Sequence, residues 1–221
     1  MEQIRWIFID VGDTLMDEGP AQQKRIRDLI AREASLGRVR TYDEICGAIL
    51  QCAREYESYL FGGALRRLGI PYDLPFDKEL EKPFPGGAEV LRTLRERGYR
   101  IAVLANQPLG TRQRMERYGF LPYLDQVFGS AEVGLSKPDP AFYRYALEQT
   151  GADPARSVMV GDRLDNDVWP ARQCGMKAIR VRQGFAAVQE ARTPDHRPDA
   201  AVDNLYGLLN ILPQIGKEGA L

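Results

Sequence analysis

The sequence has few of the residues that hold zinc or form disulfide frameworks. It contains one histidine, His196, and three cysteines, Cys46, Cys52 and Cys174, with no CxxC spacing. One histidine excludes a zinc site built on several histidines, and three scattered cysteines argue against a zinc–thiolate cluster or a disulfide framework. We therefore expect any catalysis to depend on carboxylates, lysine and backbone groups.

Excess charge and long apolar runs are also missing. Lys and Arg total 30 and Asp and Glu total 31, so no basic excess supports a nucleic-acid partner. The longest apolar runs, such as residues 7–9 and 101–105, are far too short to span a membrane. The N-terminal MEQIRWIFID shows no apolar stretch of the signal-peptide type. We expect a cytoplasmic protein without nucleic-acid or membrane partners, and nothing in the sequence indicates its oligomeric state.

Strands and helices alternate along most of the 221 residues. Short apolar segments rich in β-branched residues predict strands at 4–9, 100–105, 157–161, 176–181 and 200–202, and 126–129 is predicted as a further short strand. Helical patterns lie between them, the last of them predicted as one helix over 165–174. This alternation predicts an α/β fold, a parallel-sheet, Rossmann-like core with helices on both faces.

A purely helical segment at 17–84 interrupts this series after its first strand. Apolar residues three and four positions apart mark one amphipathic helix: Ile26, Leu29 and Ile30. Thr41 with Glu44 forms a capping-box signature that opens a second helix. We therefore predict a core of residues 1–16 and 85–221 with an inserted all-helical domain at 17–84.

Polar residues follow the predicted strands of the core or lie in the loops between its elements: Asp10, Asn106, Lys137 and Asp162. Each alone is an ordinary turn or helix-capping residue. In a parallel sheet, however, ligands bind at the carboxyl ends of the strands, where these side chains would converge. Clustered carboxylates repel one another unless a cation lies between them, and oxygen ligands favour Mg²⁺. A lysine beside such a site suits a phosphorylated substrate.

These residues resemble the haloacid dehalogenase (HAD) superfamily of hydrolases. Four motifs occur in the order typical of that family: Asp10–Thr14 (DVGDT), Val103–Asn106 (VLAN), Ser136–Pro140 (SKPDP) and Gly161–Asp167 (GDRLDND). The helical segment between the first and second motifs is similar to the cap of the family's subfamily I.

The resemblance implies a Mg²⁺-dependent phosphatase of a small phosphorylated metabolite. Asp10 would attack phosphorus and form an aspartyl-phosphate, and Lys137 would pair with the phosphate and with Asp10. Thr14 and Asn106 would help to position the phosphate. The implied metal ligands are Asp10, the backbone carbonyl of Gly12, Asp162 and Asp167.

Two positions depart from the family pattern. Gly12 replaces the second Asp of the first motif, the usual general acid, and Ala105 replaces a Ser or Thr that usually hydrogen-bonds the phosphoryl group. In an extended segment the adjacent Asp13 would point to the opposite side, so we do not expect it to compensate. General acid catalysis is worth about 10²–10⁴-fold, so we expect turnover to favour leaving groups that depart without a proton, such as those of acyl phosphates.

Two other functions stay open. A non-catalytic protein that binds a phosphorylated ligand or a protein partner would explain Gly12 and Ala105, although Asp10, Lys137 and Asp162 are kept. A dehalogenase would also lack the second Asp, but that chemistry needs no metal, and the acidic 161–167 segment argues against it. Metal dependence distinguishes a phosphatase from a dehalogenase, and loss of turnover in Asp10→Asn distinguishes it from a binding protein.

Overall fold

A six-stranded parallel sheet forms the centre of the computed structural model, which describes residues 3–215. In chain order the strands are β1 (Trp6–Ile9), β2 (Met16–Asp17), β3 (Lys82–Pro83), β4 (Arg100–Ala105), β5 (Gln126–Gly129), β6 (Ser157–Gly161), β7 (Lys177–Val181) and β8 (Ala200–Val202). The sheet has the order β5-β4-β1-β6-β7-β8, and each neighbouring pair is parallel. The predicted α/β, Rossmann-like core is confirmed.

Helices of the core cover both faces of this sheet, and three further helices lie in the inserted segment. In chain order the helices are α1 (Gly19–Ser35), α2 (Tyr42–Arg54), α3 (Leu60–Arg67), α4 (Gly87–Glu96), α5 (Thr111–Arg117), α6 (Ser130–Val133), α7 (Pro140–Thr150), α8 (Trp169–Gln173) and α9 (Leu208–Ile211). Successive side chains of β1 point to opposite faces, as the pleat requires. Ile7 and Ile9 pack in the layer of α4 and α9, whereas Trp6 and Phe8 pack in the layer of α7 and α8. A strand buried on both faces needs a continuous apolar run, which explains the sequence WIFI.

Helices α1 to α3 form the inserted helical cap, which has its own apolar core. Strands β2 and β3 pair antiparallel where the chain leaves the sheet and returns to it. The predicted capping box is present, because the Thr41 hydroxyl accepts a hydrogen bond from the Glu44 N–H at 3.1 Å. The boundaries at residues 17 and 84 stay predictions.

Helix α3 was not predicted from the sequence. Its two adjacent glycines lower helix propensity, which hides the helix from a pattern search. Packing explains one of them, since a Cβ at Gly63 would lie 2.8 Å from the Cys52 Sγ on α2. The close approach of α3 to α2 therefore depends on a residue that weakens the helical signal.

The helix predicted over 165–174 is present as a continuous helical segment, but its first turn is wider than an α-helical turn. This wide turn (Leu164–Val168) runs directly into α8. Pro170 has no N–H to donate to the Asn166 carbonyl, and that carbonyl instead accepts a hydrogen bond from the Tyr143 hydroxyl. The wide turn has a consequence for the site, because it carries Asp167.

Candidate active site

The candidate site lies at the carboxyl end of β1, in the middle of the sheet. From β1 the chain builds β4 and β5 on one side, and it then returns to the other side of β1 for β6, β7 and β8, so the strand order reverses at β1. Such a reversal opens a crevice beyond the strand ends in α/β proteins. Asp10 follows β1 directly, and its N–H continues the ladder by donating to the Val160 carbonyl at 2.9 Å. Asp162 follows β6, so the two carboxylates enter the same crevice.

Three buried carboxylates and one buried lysine meet in this crevice. Oxygens of Asp10, Asp162 and Asp167 lie within 4.8 Å of one another. The Lys137 Nζ donates to Asp10 Oδ1 and to Asp167 Oδ1, at 2.6 Å each. The predicted nucleophile, lysine and acidic metal ligands are therefore brought together, although 157 residues separate Asp10 from Asp167 in the sequence.

Burial and mutual repulsion disfavour the charged states of Asp162 and Asp167. Burial, and then the charges of Asp167 and Asp10, raise the pKa of Asp162 well above its usual value. Burial also raises the pKa of Asp167 to about 6, although Lys137 offsets part of the effect. Burial alone would lower the pKa of Lys137, but the carboxylates of Asp10 and Asp167 outweigh it and raise that pKa. One lysine cannot neutralise three carboxylates, so the cluster has the charge and the oxygen ligands that suit a divalent cation.

Asn106 holds the Lys137 segment in place. Its Nδ2 donates to the Lys137 carbonyl and its Oδ1 accepts from the Lys137 N–H, both at 2.8 Å. Two bonds from one amide fix both the position and the orientation of the backbone that carries the lysine. The structure therefore assigns Asn106 a positioning contact, and its predicted contact with phosphate stays a prediction.

Gly12 lies beside a carboxyl group that the sequence analysis missed. A Cβ at Gly12 would lie 2.4 Å from the Glu18 Oε1, so Glu18 occupies the space of the absent side chain. Burial, followed by the charges of Asp13 and Glu81, raises the pKa of Glu18 to about 8. Glu18 is six residues from Gly12 and precedes α1, where it resembles an ordinary helix-start residue. Sequence alone carries no signal for this contact, because only the fold of the intervening turn creates it.

Asp13 does not lie in an extended segment, contrary to the prediction. Asp13 has a φ of 48°, which is the left-handed region, because the chain turns sharply after β1. The Leu15 and Met16 N–H groups close this turn on the Val11 carbonyl. Asp13 accepts the Glu18 N–H at 3.2 Å, and its Oδ2 lies against Gly184. Its carboxylate therefore accepts a hydrogen bond within the turn and packs against Gly184.

A cavity of about 360 Å³ separates this cluster from the cap. Core residues Asp10, Asp162 and Lys137 line its floor, and Tyr59 and Phe61 are among the cap residues that line it. Its volume suits a small molecule, and its lining combines charged side chains of both signs with aromatic rings.

A model of the haloacid dehalogenase-like hydrolase family matches residues 4–175. The chain belongs to this family. A glyceraldehyde 3-phosphate phosphatase of Methanopyrus kandleri is 29% identical over 234 residues, covering 97% of this chain and 100% of the relative.

Two solved structures of the same family resemble the fold of this chain. A HAD phosphatase from Thermococcus onnurineus has a TM-score of 0.67 and 24% identity, covering 95% of this chain and 98% of that one. A 2-haloacid dehalogenase from Pseudomonas syringae pv. Tomato DC3000 has a TM-score of 0.62 and 25% identity, covering 96% and 99%. Both enzyme types named in these structures therefore share the architecture found here.

Two other residues of the HAD motifs, Thr14 and Asp165, are not part of the cluster formed by the three buried acids. Thr14 is fully buried, does not line the cavity, and its hydroxyl has no hydrogen-bond partner within residues 3–215. Of the two later acids in the fourth motif, Asp165 accepts from the Gln189 amide at 2.8 Å and pairs with Arg163, which leaves Asp167 to face the lysine. The role of Thr14 toward phosphate stays a prediction.

Proposed function

We propose that this HAD-family hydrolase is a Mg²⁺-dependent phosphatase of a small phosphorylated metabolite, acting through an aspartyl-phosphate on Asp10. The observation that carries the proposal is the convergence of Asp10, Lys137 and two further buried carboxylates on one cavity. The relative from Methanopyrus kandleri is named as a phosphatase of a three-carbon sugar phosphate, which supports the same substrate class.

The donor set fits a magnesium ion. The carboxylates of Asp10, Asp162 and Asp167 would hold it together with the backbone carbonyl of Gly12, giving hard oxygen ligands only. When bound, the ion would balance the negative charge of the site and polarise the phosphoryl oxygens. The unbalanced charge of three buried acids with one lysine is the independent reason to expect a cation there.

The residues of the chain have separable roles in the proposed reaction. Lys137 holds Asp10 Oδ1, and no described residue donates a hydrogen bond to Oδ2, so that oxygen can attack phosphorus in line. The ester oxygen departs as the new bond to Asp10 forms. Water then attacks the phosphorus of the aspartyl-phosphate, which releases phosphate and restores Asp10. The Lys137 ammonium would stabilise the charge on the phosphoryl oxygens in both steps.

Two alternatives are distinguished by chemistry. A dehalogenase has no need of a metal, so the charged cluster of Asp162 and Asp167 favours the phosphatase. A non-catalytic phosphate-binding protein is favoured by Gly12 and Ala105, because both positions lack side chains that HAD phosphatases use.

Hydrolysis of p-nitrophenyl phosphate and of acetyl phosphate, with and without Mg²⁺, tests the proposal. We expect magnesium-dependent turnover that Asp10→Asn abolishes, since an amide cannot act as the nucleophile. Turnover that needs no metal would favour the dehalogenase class. Absence of turnover by folded protein would favour the binding protein.

The same proposal implies a small-molecule substrate, and the 360 Å³ cavity limits the ligand to that size class. Among residues 3–215, none of the helices is both long enough and apolar enough to traverse a membrane. The cytoplasmic location and the lack of a nucleic-acid partner stay predictions.

A further inference from the structure

The turn after β1 brings the side chain of Glu18 back over Gly12. A Cβ at position 12 would meet the Glu18 Oε1 at 2.4 Å and its Cδ at 3.2 Å. The Glu18 N–H donates to Asp13 Oδ1 at 3.2 Å, which fixes the backbone of the residue relative to the turn. The glycine therefore leaves a space that a carboxyl group from elsewhere in the chain fills.

Among the described carboxyl groups that line the cavity, that of Glu18 is the one with neither a hydrogen bond or ion pair nor a place in the proposed metal cluster. Asp10 and Asp167 share Lys137, and Asp162 belongs to the same proposed metal cluster. The Asp13 carboxylate is directed at the Glu18 backbone and at Gly184. Within the described residues, the Glu18 carboxyl accepts no hydrogen bond, and it lines the cavity together with Asp10.

Hydrolysis of an alkyl phosphate ester requires an acid at the leaving oxygen. The alkoxide is a poor leaving group, and a positioned carboxyl that protonates it contributes about 10²–10⁴-fold. Lys78 also lines the cavity, but its Nζ donates to the Gln107 side chain at 3.0 Å and lies 3.6 Å from a Glu81 oxygen. Glu18 is thus the side chain best placed to exchange a proton next to Asp10.

We propose that Glu18 is the general acid and base of this enzyme, a role that rests on the phosphatase function proposed above. In the first step the Asp10 oxygen bonds to phosphorus while the ester P–O bond breaks, and the leaving oxygen takes the proton of the Glu18 carboxyl. In the second step Glu18 takes a proton from the attacking water while the bond between phosphorus and Asp10 breaks. Phosphate departs and Glu18 regains its proton, so the cycle is balanced.

Dependence on the leaving group tests this role. Glu18→Gln keeps the size of the side chain but carries no exchangeable acid proton. We expect its kcat/KM to fall about 10²-fold or more for glycerol 2-phosphate, an alkyl ester, and less than tenfold for p-nitrophenyl phosphate, whose leaving group needs no proton. Asp17→Asn is the matched control, because within residues 3–215 the Asp17 side chain accepts only the Gly19 N–H, at 2.8 Å, and an asparagine Oδ1 can accept the same bond.

Moving the acid back to position 12 gives a second test. Gly12→Asp alone should displace the Glu18 carboxyl, because a Cβ at position 12 would lie 2.4 Å from its Oε1, at the end of a flexible side chain. In Gly12→Asp combined with Glu18→Ala this close contact is gone, and we expect alkyl-ester hydrolysis at least tenfold above that of Glu18→Ala alone. A merely structural role of Glu18 would show neither the selectivity for alkyl esters nor this rescue.

The outcomes separate the two proposals. Equal losses for both substrates in Glu18→Gln, or no loss for either, would overturn the role of Glu18 and leave the phosphatase function intact. Turnover of p-nitrophenyl phosphate that persists in Asp10→Asn, or no turnover by folded wild-type protein, would overturn the phosphatase function and the role of Glu18 with it.

Discussion

Replacing Lys137 by methionine should destabilise the protein strongly when no metal is bound. The Lys137 side chain is 2% exposed and contacts Asp10 and Asp167 at 2.6 Å each. Methionine has a similar length and no branch, so the change removes the charge with little change in volume. The variant would keep three buried carboxylates with no cation among them.

The size of the loss follows from the distances. Two unit charges 4.8 Å apart repel by about 3 kcal/mol at an effective dielectric constant of about 20. Protonation limits the loss, since holding an ordinary aspartic acid neutral at pH 7 costs about 4 kcal/mol, and only about 1.5 kcal/mol at pH 5. We therefore expect the free energy of unfolding to fall by about 3–4 kcal/mol at pH 7 and by about half of that or less at pH 5, in line with broken buried ion pairs.

Urea unfolding in EDTA at pH 5 and pH 7, followed by circular dichroism, measures this loss. Lys177→Met is the matched control, because its pair with Asp199 at 3.1 Å is 45% exposed at the lysine and worth about 0–1 kcal/mol. Added Mg²⁺ should recover part of the stability lost in Lys137→Met. A loss below 1 kcal/mol at pH 7, or equal losses at both pH values, would refute the electrostatic account of the cluster.

Three further predictions concern other residues of the site. Burial raises the pKa of Glu18 from 4.5 to about 8 in the folded protein. The contribution of the neutral Glu18 to the free energy of unfolding is therefore complete below pH 4.5 and is lost as the pH rises through 8. Between pH 5 and 8.5 the wild type should lose about 2 kcal/mol more unfolding free energy than Glu18→Gln, and equal losses would contradict this. Asn106→Ala removes both bonds to Lys137, so we expect about 1–2 kcal/mol less stability in urea unfolding and a lower kcat, and an unchanged kcat would argue against positioning. Mg²⁺ should raise the Tm of the wild type but not that of Asp162→Asn, and equal rises would place the ion elsewhere.

The core fold could be predicted because its signals are local. The run WIFI of β1 is apolar at every position, as a strand buried on both faces requires. Asp10 and Asp162 each follow such a run, and parallel strands must bring their ends to one edge. The order of four motifs then supported the family, which the match over residues 4–175 confirmed.

The cap and the wide turn were predicted less well because tertiary contacts determine them. The glycine pair of α3 weakens its helical signal, and one of these glycines allows close packing on α2. The turn before Pro170 depends on the Tyr143 hydroxyl, 23 residues from the carbonyl that it satisfies. No short window of sequence contains both partners.

Sequence by itself determined the sheet, the family and the acids with their lysine, since each belongs to a strand end or to a contiguous motif. Only the tertiary structure decided that Asp167 rather than Asp165 faces Lys137, and that Asn106 holds the backbone of that lysine. It also placed the carboxyl of Glu18 in the space left by Gly12. The physical reason is that strand periodicity constrains which residues reach the site, whereas the direction of each side chain depends on turns and on partners distant in the chain.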